Sequence, residues 1–277
     1  MQKIGDIIPY FKKELCPDFK EREVVSWAYL TIEHILNYNR SECILNTNKY
    51  LNNDVVNKLY KIINQLRVNK PLQYILNEAY FYGLKLKVNT DTLIPRQETE
   101  SLIEWILQDR FNSAIDIGTG SGCIAIALAK NSDADISAID VSHSSIDIAR
   151  YNASLNDVKV DFIQHDIFNI NSLQKTDVIV SNPPYILNSE KKYLKANVIE
   201  YEPHLALFVP DEDPLIFYQH IINIATKSLL KRGRLFFEIN ENYADEIIDL
   251  LIDFNFVDIE LKKDINERDR MIKAIWK

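Results

Sequence analysis

Asn182-Pro183-Pro184-Tyr185 follows directly on the apolar run Asp177-Val178-Ile179-Val180-Ser181. A turn of that composition at the end of a buried strand presents an Asn side-chain carbonyl, a proline carbonyl and an aromatic face. Proline lacks an N–H and has a fixed φ, so two in succession make a stiff corner whose backbone oxygens are free to accept hydrogen bonds from a ligand. Together these groups fit a planar NH2. Taken alone, the tetrapeptide reads equally as a plain Asn-Pro turn that closes a strand.

The run Ala114-Ile115-Asp116-Ile117 leads into Gly118-Thr119-Gly120-Ser121-Gly122, which opens an Ala-rich segment, Cys123 to Ala129. The chain has six glycines and three of them sit in this loop. In so glycine-poor a protein, that concentration predicts a backbone that turns sharply and lets a ligand approach closely. The spacing is Gly-x-Gly-x-Gly. The dinucleotide fingerprint is Gly-x-Gly-x-x-Gly, with a pyrophosphate on the helix N-terminus. A carboxylate at the mouth, Asp116, suits an amine-bearing or cationic ligand better than a diphosphate.

The next strand-like run, Ile136 to Ile139, ends in Asp140, twenty-two residues after Gly118. That interval covers one helix and one strand of a crossover, so Asp140 is expected beside the glycine loop, where its carboxylate accepts both hydroxyls of a ribose. Its other reading is a helix N-cap, a role open also to Ser142 or Ser144. A third run, Val160 to Ile163, leads to His165-Asp166-Ile167-Phe168. Asp166 can accept from an exocyclic amine while Ile167 or Phe168 covers a flat ring. These loops follow one another in the order of successive strands, so all are expected at the carboxyl edge of one parallel sheet, where open α/β folds bind ligands.

With these residues in place, the sequence resembles the class I S-adenosylmethionine-dependent methyltransferases. Within them it resembles the peptide chain release factor glutamine N5-methyltransferases, the HemK/PrmC family. Further matches are Pro71 to Ile75, Phe81-Tyr82-Gly83, Leu93-Ile94-Pro95-Arg96-Gln97-Glu98-Thr99-Glu100 and Tyr201-Glu202-Pro203-His204-Leu205-Ala206-Leu207. The resemblance covers the chain from about residue 20 to its end. Departures are Gln97 where a second proline is common, Asn77 where glycine is common, Ile167 where Trp is frequent, and Asp211 to Pro214, which lacks an expected glycine.

The resemblance implies a Rossmann-like α/β fold with a seven-stranded sheet, preceded by a small helical domain and a linking hairpin. It implies S-adenosylmethionine as cofactor, S-adenosylhomocysteine as product, and the glutamine of the Gly-Gly-Gln loop of class I release factors as acceptor. Asp116, Gly118, Thr119, Gly120, Ser121, Gly122, Asp140, Asp166, Ile167, Phe168 and Asn182 are then the cofactor site, and Asn182, Pro183, Pro184 and Tyr185 the substrate site. A glutamine amide nitrogen is a poor nucleophile because its lone pair is delocalised into the carbonyl. The Asn182 side-chain oxygen and the Pro183 carbonyl are expected to accept its two hydrogens, with Tyr185 packed on the amide plane. Such bonds strengthen as conjugation is lost, which is differential binding of the transition state. No general base is assigned. Arg96 and Glu98 either shape the peptide entrance or form a salt bridge between domains.

Apolar residues recur at helical spacing before residue 80: Ile4, Ile7, Ile8, Phe11 and Leu15; then Val24, Ala28, Ile32 and Ile35; then Val55, Leu59, Ile62, Ile63 and Leu66. Residues 1–78 are therefore expected to be a helical, substrate-recognition domain, 79–96 a hairpin linker and 97–277 the cofactor-binding domain. The alternating run Phe81 to Val88 reads as one strand of that hairpin. Later strands are expected near 234–239, 256–261 and 271–276, the last two as an antiparallel pair.

A net charge of −8 predicts repulsion from nucleic acid. The basic clusters Lys12-Lys13, Lys191-Lys192-Lys195 and Lys262-Lys263 read first as solvated faces, and only the second, after the proline turn, could border the substrate entrance. Three cysteines and five histidines show no metal-ligand spacing, so no metal is expected. No secretory or membrane-spanning run is read, and the protein is expected to be a cytoplasmic monomer. Two rivals stay open. Adenine N6-methylation of DNA or RNA would use the same turn, although the acidic charge opposes it. A non-catalytic cofactor-binding protein would have no use for the amide clamp.

Overall fold

The computed structural model describes every residue from Met1 to Lys277 and divides into two compact units, Met1–Asn77 and Glu78–Lys277. The first is helical: α1 (Ile7–Leu15), α2 (Glu21–Leu36), α3 (Arg40–Leu45), α4 (Asn53–Arg67) and α5 (Leu72–Leu76). Its core is the set of residues that recur at helical spacing, with Ile7, Phe11, Leu15, Val24, Ala28, Ile32, Leu59, Ile63 and Leu66 buried together. Asparagines set several boundaries. Asn39 and Asn52 cap α3 and α4 by accepting from Glu42 N–H and Val55 N–H. Asn37 and Asn77 end α2 and α5 in the left-handed conformation, at φ 55° and 54°. Asparagine tolerates that region, so Asn77 serves where glycine is common.

The second unit opens with a hairpin, β1 (Glu78–Phe81) and β2 (Leu84–Lys87), turned at Tyr82-Gly83 with φ 48° and 73°. This corrects the reading of Phe81 to Val88 as one strand. Alternation alone does not reveal a tyrosine in left-handed backbone, and the turn sits inside the alternating run. The hairpin belongs to the second unit.

There follow α6 (Gln97–Ile106), β3 (Ser113–Ile117), α7 (Cys123–Asn131), β4 (Asp135–Asp140), α8 (His143–Leu155), β5 (Asp161–Gln164) and β6 (Thr176–Ser181). Then come β7 (Ile186–Leu187), α9 (Ala196–Tyr201), β8 (Phe208–Val209), α10 (Ile216–Ser228), β9 (Leu229–Glu238), α11 (Ala244–Asp253), β10 (Phe256–Lys263) and β11 (Asp269–Trp276). Seven strands form one sheet in the order β10-β11-β9-β6-β3-β4-β5. β5, β4, β3, β6 and β9 run parallel, and β11 is antiparallel to both of its neighbours. The central strands are buried on both faces, which explains their near-continuous apolar runs.

Side-chain alternation sorts the strands into two cores. Ala114, Val178, Val180 and Phe236 pack with α6, α7 and α8. Ile115, Ile117, Ile179, Leu235 and Phe237 pack with α10 and α11. No helix is long and apolar enough to cross a membrane.

Candidate active site

The loops after β3, β4, β5 and β6 meet at the carboxyl edge of the parallel strands around a cavity of about 400 Å³. Gly118, Thr119, Gly120 and Ser121 form one wall, Asp140 the next, then Asp166, Ile167 and Phe168, and finally Asn182, Pro183 and Pro184. Strand order brings them together: β3 lies between β4 and β6, so its glycine loop stands between Asp140 and the proline corner.

Gly118, Gly120 and Gly122 all have positive φ, at 76°, 54° and 83°. Conformation alone does not require glycine, because the chain places Asn37, Asn69, Asn77 and Asn255 in the same region. That backbone is strained for most residues with a Cβ, and at Gly118 and Gly120, where a Cβ would meet no atom within 4 Å, its absence also leaves room at the cavity wall. Gly122 has the opposite need: a Cβ there would stand 2.9 Å from Ile126 Cδ1 and 3.0 Å from Ala149 Cβ, so it lets α7 approach α8.

The loop is pinned by its own backbone. Gly118 N–H and Thr119 N–H both donate to the Ile139 carbonyl, at 2.8 and 3.0 Å. Gly120 N–H donates to Asp140 Oδ2 at 2.8 Å and Ser142 N–H to Oδ1 at 2.9 Å. Each Asp140 oxygen keeps lone-pair capacity toward the cavity. Burial pushes this carboxyl above its ordinary range, against the backbone donors of Ser142, Gly120 and Val141, so further hydrogen-bond donors would favour its charged form. Ser142 caps α8 by accepting from Ser145 N–H, which leaves Asp140 free of that task.

Asp116 lies beneath the loop rather than on the cavity wall. It is 1 % exposed; its Oδ2 accepts from the Thr119 hydroxyl at 2.6 Å and from Ala125 N–H at 3.3 Å, and its Oδ1 has no partner. The start of α7 is thus already served by the protein's own carboxylate. Ala125 N–H is thereby withdrawn from the donors a pyrophosphate would use at that terminus. Burial pushes Asp116 up to about 7. Cys123 lines the cavity too, but burial raises its thiol to about 12, so it is not a thiolate nucleophile at neutral pH.

Across the cavity, Asp166 accepts from Phe168 N–H at 3.0 Å and from Asn169 Nδ2 at 2.9 Å, which holds the turn that presents Ile167 and Phe168. Phe168 is 40 % exposed and braced edge-on by His220 at 4.5 Å and by a tilted Phe217 ring at 5.2 Å. A flat ring face is therefore available at the wall.

Tyr185 is turned inward. Its ring packs on the α10 core and its hydroxyl donates to Glu238 Oε1 at 3.1 Å, while Asn240 Nδ2 donates to its carbonyl. Burial pushes the phenol well above its ordinary value. Sequence reasoning missed Glu238 and its second partner, Thr99, whose hydroxyl donates to Oε2 at 2.6 Å. The available signal was an acid ending the apolar run Leu235-Phe236-Phe237, the same signal that marked Asp140.

Arg96 lines the cavity and its Nη2 donates to both oxygens of buried Glu202, at 2.7 and 2.8 Å. Both residues belong to the second unit, which overturns the reading of Arg96 as a bridge between domains. The pair fastens the segment that carries Pro203, Leu205 and Ala206 to the cavity. Lys191 and Lys192 sit in a 3₁₀ turn earlier in that segment, over the rings of Phe208 and Tyr193. Glu98 is instead placed near Asn266, whose Nδ2 reaches it at 3.4 Å.

Residues 97–203 match the family described as Methyltransferase small domain, and residues 20–76 match the PrmC N-terminal domain. A release factor glutamine methyltransferase of Flavobacterium psychrophilum is 46 % identical over 273 residues, covering 95 % of this chain and 96 % of that protein. One from Bacteroides thetaiotaomicron is 38 % identical, covering 97 % and 98 %. Among solved structures, a methyltransferase from Pyrococcus furiosus superposes with a TM-score of 0.54 at 16 % identity, covering 79 % of this chain and 98 % of that one, a likeness of fold.

Proposed function

The chain belongs to the family of release factor glutamine methyltransferases, and we propose that its cavity methylates the side-chain nitrogen of the Gly-Gly-Gln glutamine of class I release factors. One observation carries the proposal. The Asn182-Pro183 corner faces the same cavity as the glycine loop and Asp140, so an amide acceptor and a nucleoside ligand can share it.

The walls suit S-adenosylmethionine, which supplies a methyl group on a positively charged sulfur when bound. The room left by Gly118 and Gly120, the spare lone pairs of Asp140 and the exposed Phe168 face match its amino-acid chain, ribose and adenine. Asp166 and Ile167 complete the adenine side, and Thr119 and Ser121 the loop. Asp116 and Gly122 hold that loop from behind.

Asn182 Oδ1 and the Pro183 carbonyl accept the two hydrogens of the substrate amide and hold its plane. As the nitrogen loses conjugation its hydrogens become more acidic, and both bonds strengthen, so the corner favours the transition state over the ground state. Pro184 stiffens the corner, and Tyr185 braces it from the core side. The cavity wall excludes water from the nitrogen, and orientation supplies much of the remainder. The helical unit, residues 1–77, is proposed to recognise the release factor, and the enzyme to act as a cytoplasmic monomer.

Asn182→Ala tests the reading. It removes one preorganised acceptor, so single-turnover transfer should fall roughly 10²- to 10³-fold, while affinity for S-adenosylhomocysteine stays near wild type. Mass spectrometry locates the methyl. Transfer at the wild-type rate sinks the mechanism, and a methyl on adenine of a DNA control in place of glutamine sinks the substrate.

A further inference from the structure

The amide of Asn182 can accept from the substrate only if its oxygen, and not its NH2, faces the cavity. Nothing in the proline corner enforces that choice, since the two ends of an Asn amide have nearly the same shape. The enforcement comes from behind. β6 and β9 pair in parallel with Ser181 opposite Phe237, so Asn182 and Glu238 emerge as neighbours at the strand ends. α6 covers this face of the sheet and lowers Thr99, the third residue of its first turn, between them.

Glu238 is 2 % exposed and Thr99 equally buried. Burial raises the Glu238 carboxyl above its ordinary range, while the Thr99 and Tyr185 hydroxyls beside it favour the charged form, and in that form it only accepts. Thr99 must therefore spend its single hydroxyl proton on Glu238 Oε2, at 2.6 Å. Its oxygen can then only accept, and the group in reach is Asn182 Nδ2 at 3.5 Å. The Tyr185 hydroxyl, donating to Oε1, occupies the other carboxylate oxygen and keeps it from competing for the Thr99 proton. Each step fixes the donor and acceptor sense of the next.

We propose that Glu238 and Thr99 are positioning residues that set the amide polarity of Asn182, turning its NH2 inward and its oxygen to the substrate. This rests on the glutamine-methylating reading of the cavity and adds residues 139 positions apart in sequence to its machinery. The contact of Thr99 with Asn182 is the longest of the three, so it is the link a substitution should break first.

The test uses the full-length chain with Glu238→Gln, Thr99→Val and Thr99→Ser, each also combined with Asn182→Ala. Glutamine in place of Glu238 both donates and accepts, so it no longer dictates the direction of the Thr99 proton. Valine keeps the shape of threonine without its oxygen. Both should slow single-turnover methylation of a release factor by about 10- to 100-fold, as misorientation does. Thr99→Ser should stay near wild type, and S-adenosylhomocysteine affinity by calorimetry should not change. In the Asn182→Ala background neither Glu238→Gln nor Thr99→Val should lower the rate further, whereas a merely structural loss would add. A wild-type rate for Thr99→Val, or an additive loss on Asn182→Ala, overturns the proposal. A second readout needs no substrate: the Asn182 side-chain NH2 resonances, identified by their loss in Asn182→Ala, should shift in Thr99→Val and exchange faster with solvent. Unmoved resonances likewise overturn the network. If the wild type leaves glutamine unmethylated, the reading of the cavity fails while these resonances still decide the network.

Discussion

Asp140 and Tyr185 illustrate how far a single side chain's role depends on what already holds it. Asp140 accepts from Gly120 N–H and Ser142 N–H, so Asp140→Ala removes the ribose acceptor and also frees the glycine loop. Charge-assisted hydrogen bonds are worth about 1.5–3 kcal/mol each, and S-adenosylhomocysteine affinity should fall accordingly. Unchanged affinity by calorimetry would remove Asp140 from the site. For Tyr185, a role confined to the ring face predicts that phenylalanine is tolerated. The hydroxyl contact with buried Glu238 alters that expectation. Tyr185→Phe leaves one carboxylate oxygen unsatisfied and should destabilise the fold by about 1–3 kcal/mol, with a lowered transfer rate. Urea unfolding checks it, and an unchanged midpoint would mean the bond contributes nothing.

The start of α7 carries the clearest pH signature. Burial raises Asp116 from 3.8 to about 7, opposed by the Thr119 hydroxyl and Ala125 N–H. A raised carboxyl pKa means that the folded chain holds a proton the unfolded chain has released between those two values. The stability this group contributes is thus complete below pH 3.8 and is lost as pH rises towards 7. The slope is at most about 1.4 kcal/mol per pH unit. Asp116→Asn cannot ionise, so its stability relative to wild type should improve steadily from pH 4.5 to 7.5 in chemical unfolding. A constant difference would show that Asp116 titrates alike in both states.

Every cavity-lining residue falls between Thr90 and Ile221, inside the unit Glu78–Lys277, which has cores of its own on both faces of the sheet. A chain beginning at Glu78 should therefore bind S-adenosylhomocysteine with near wild-type affinity by calorimetry yet transfer poorly to an intact release factor. Full transfer by that fragment would refute the proposed recognition role of residues 1–77. The net charge of −8 points the same way, towards a protein acceptor over a nucleic acid.

Much of this architecture is legible before any coordinates because it is local. The helical recurrence of Ile7, Phe11 and Leu15, the three glycines between an apolar run and an Ala-rich one, and the acid, Asp140, that ends an apolar run depend on neighbours in sequence. Parallel strand order then suffices to place Asp140, Asp166 and Asn182 at one edge, whereas Asp116, expected at the mouth, is buried beneath the loop. Local pattern also misleads at Tyr82-Gly83, where a left-handed tyrosine hides a turn inside an alternating run. What alternation and spacing do not contain is the pairing of distant side chains. Arg96 meets Glu202 across 106 residues, and Thr99 meets Glu238 across 139. The second contact depends on the register of β6 against β9 and on the face of the sheet that α6 covers, both outcomes of long-range packing. The inward turn of the Tyr185 hydroxyl was decided there too. A buried carboxylate must find donors wherever the completed core provides them, because leaving it unpaired costs more than reorienting the side chains around it.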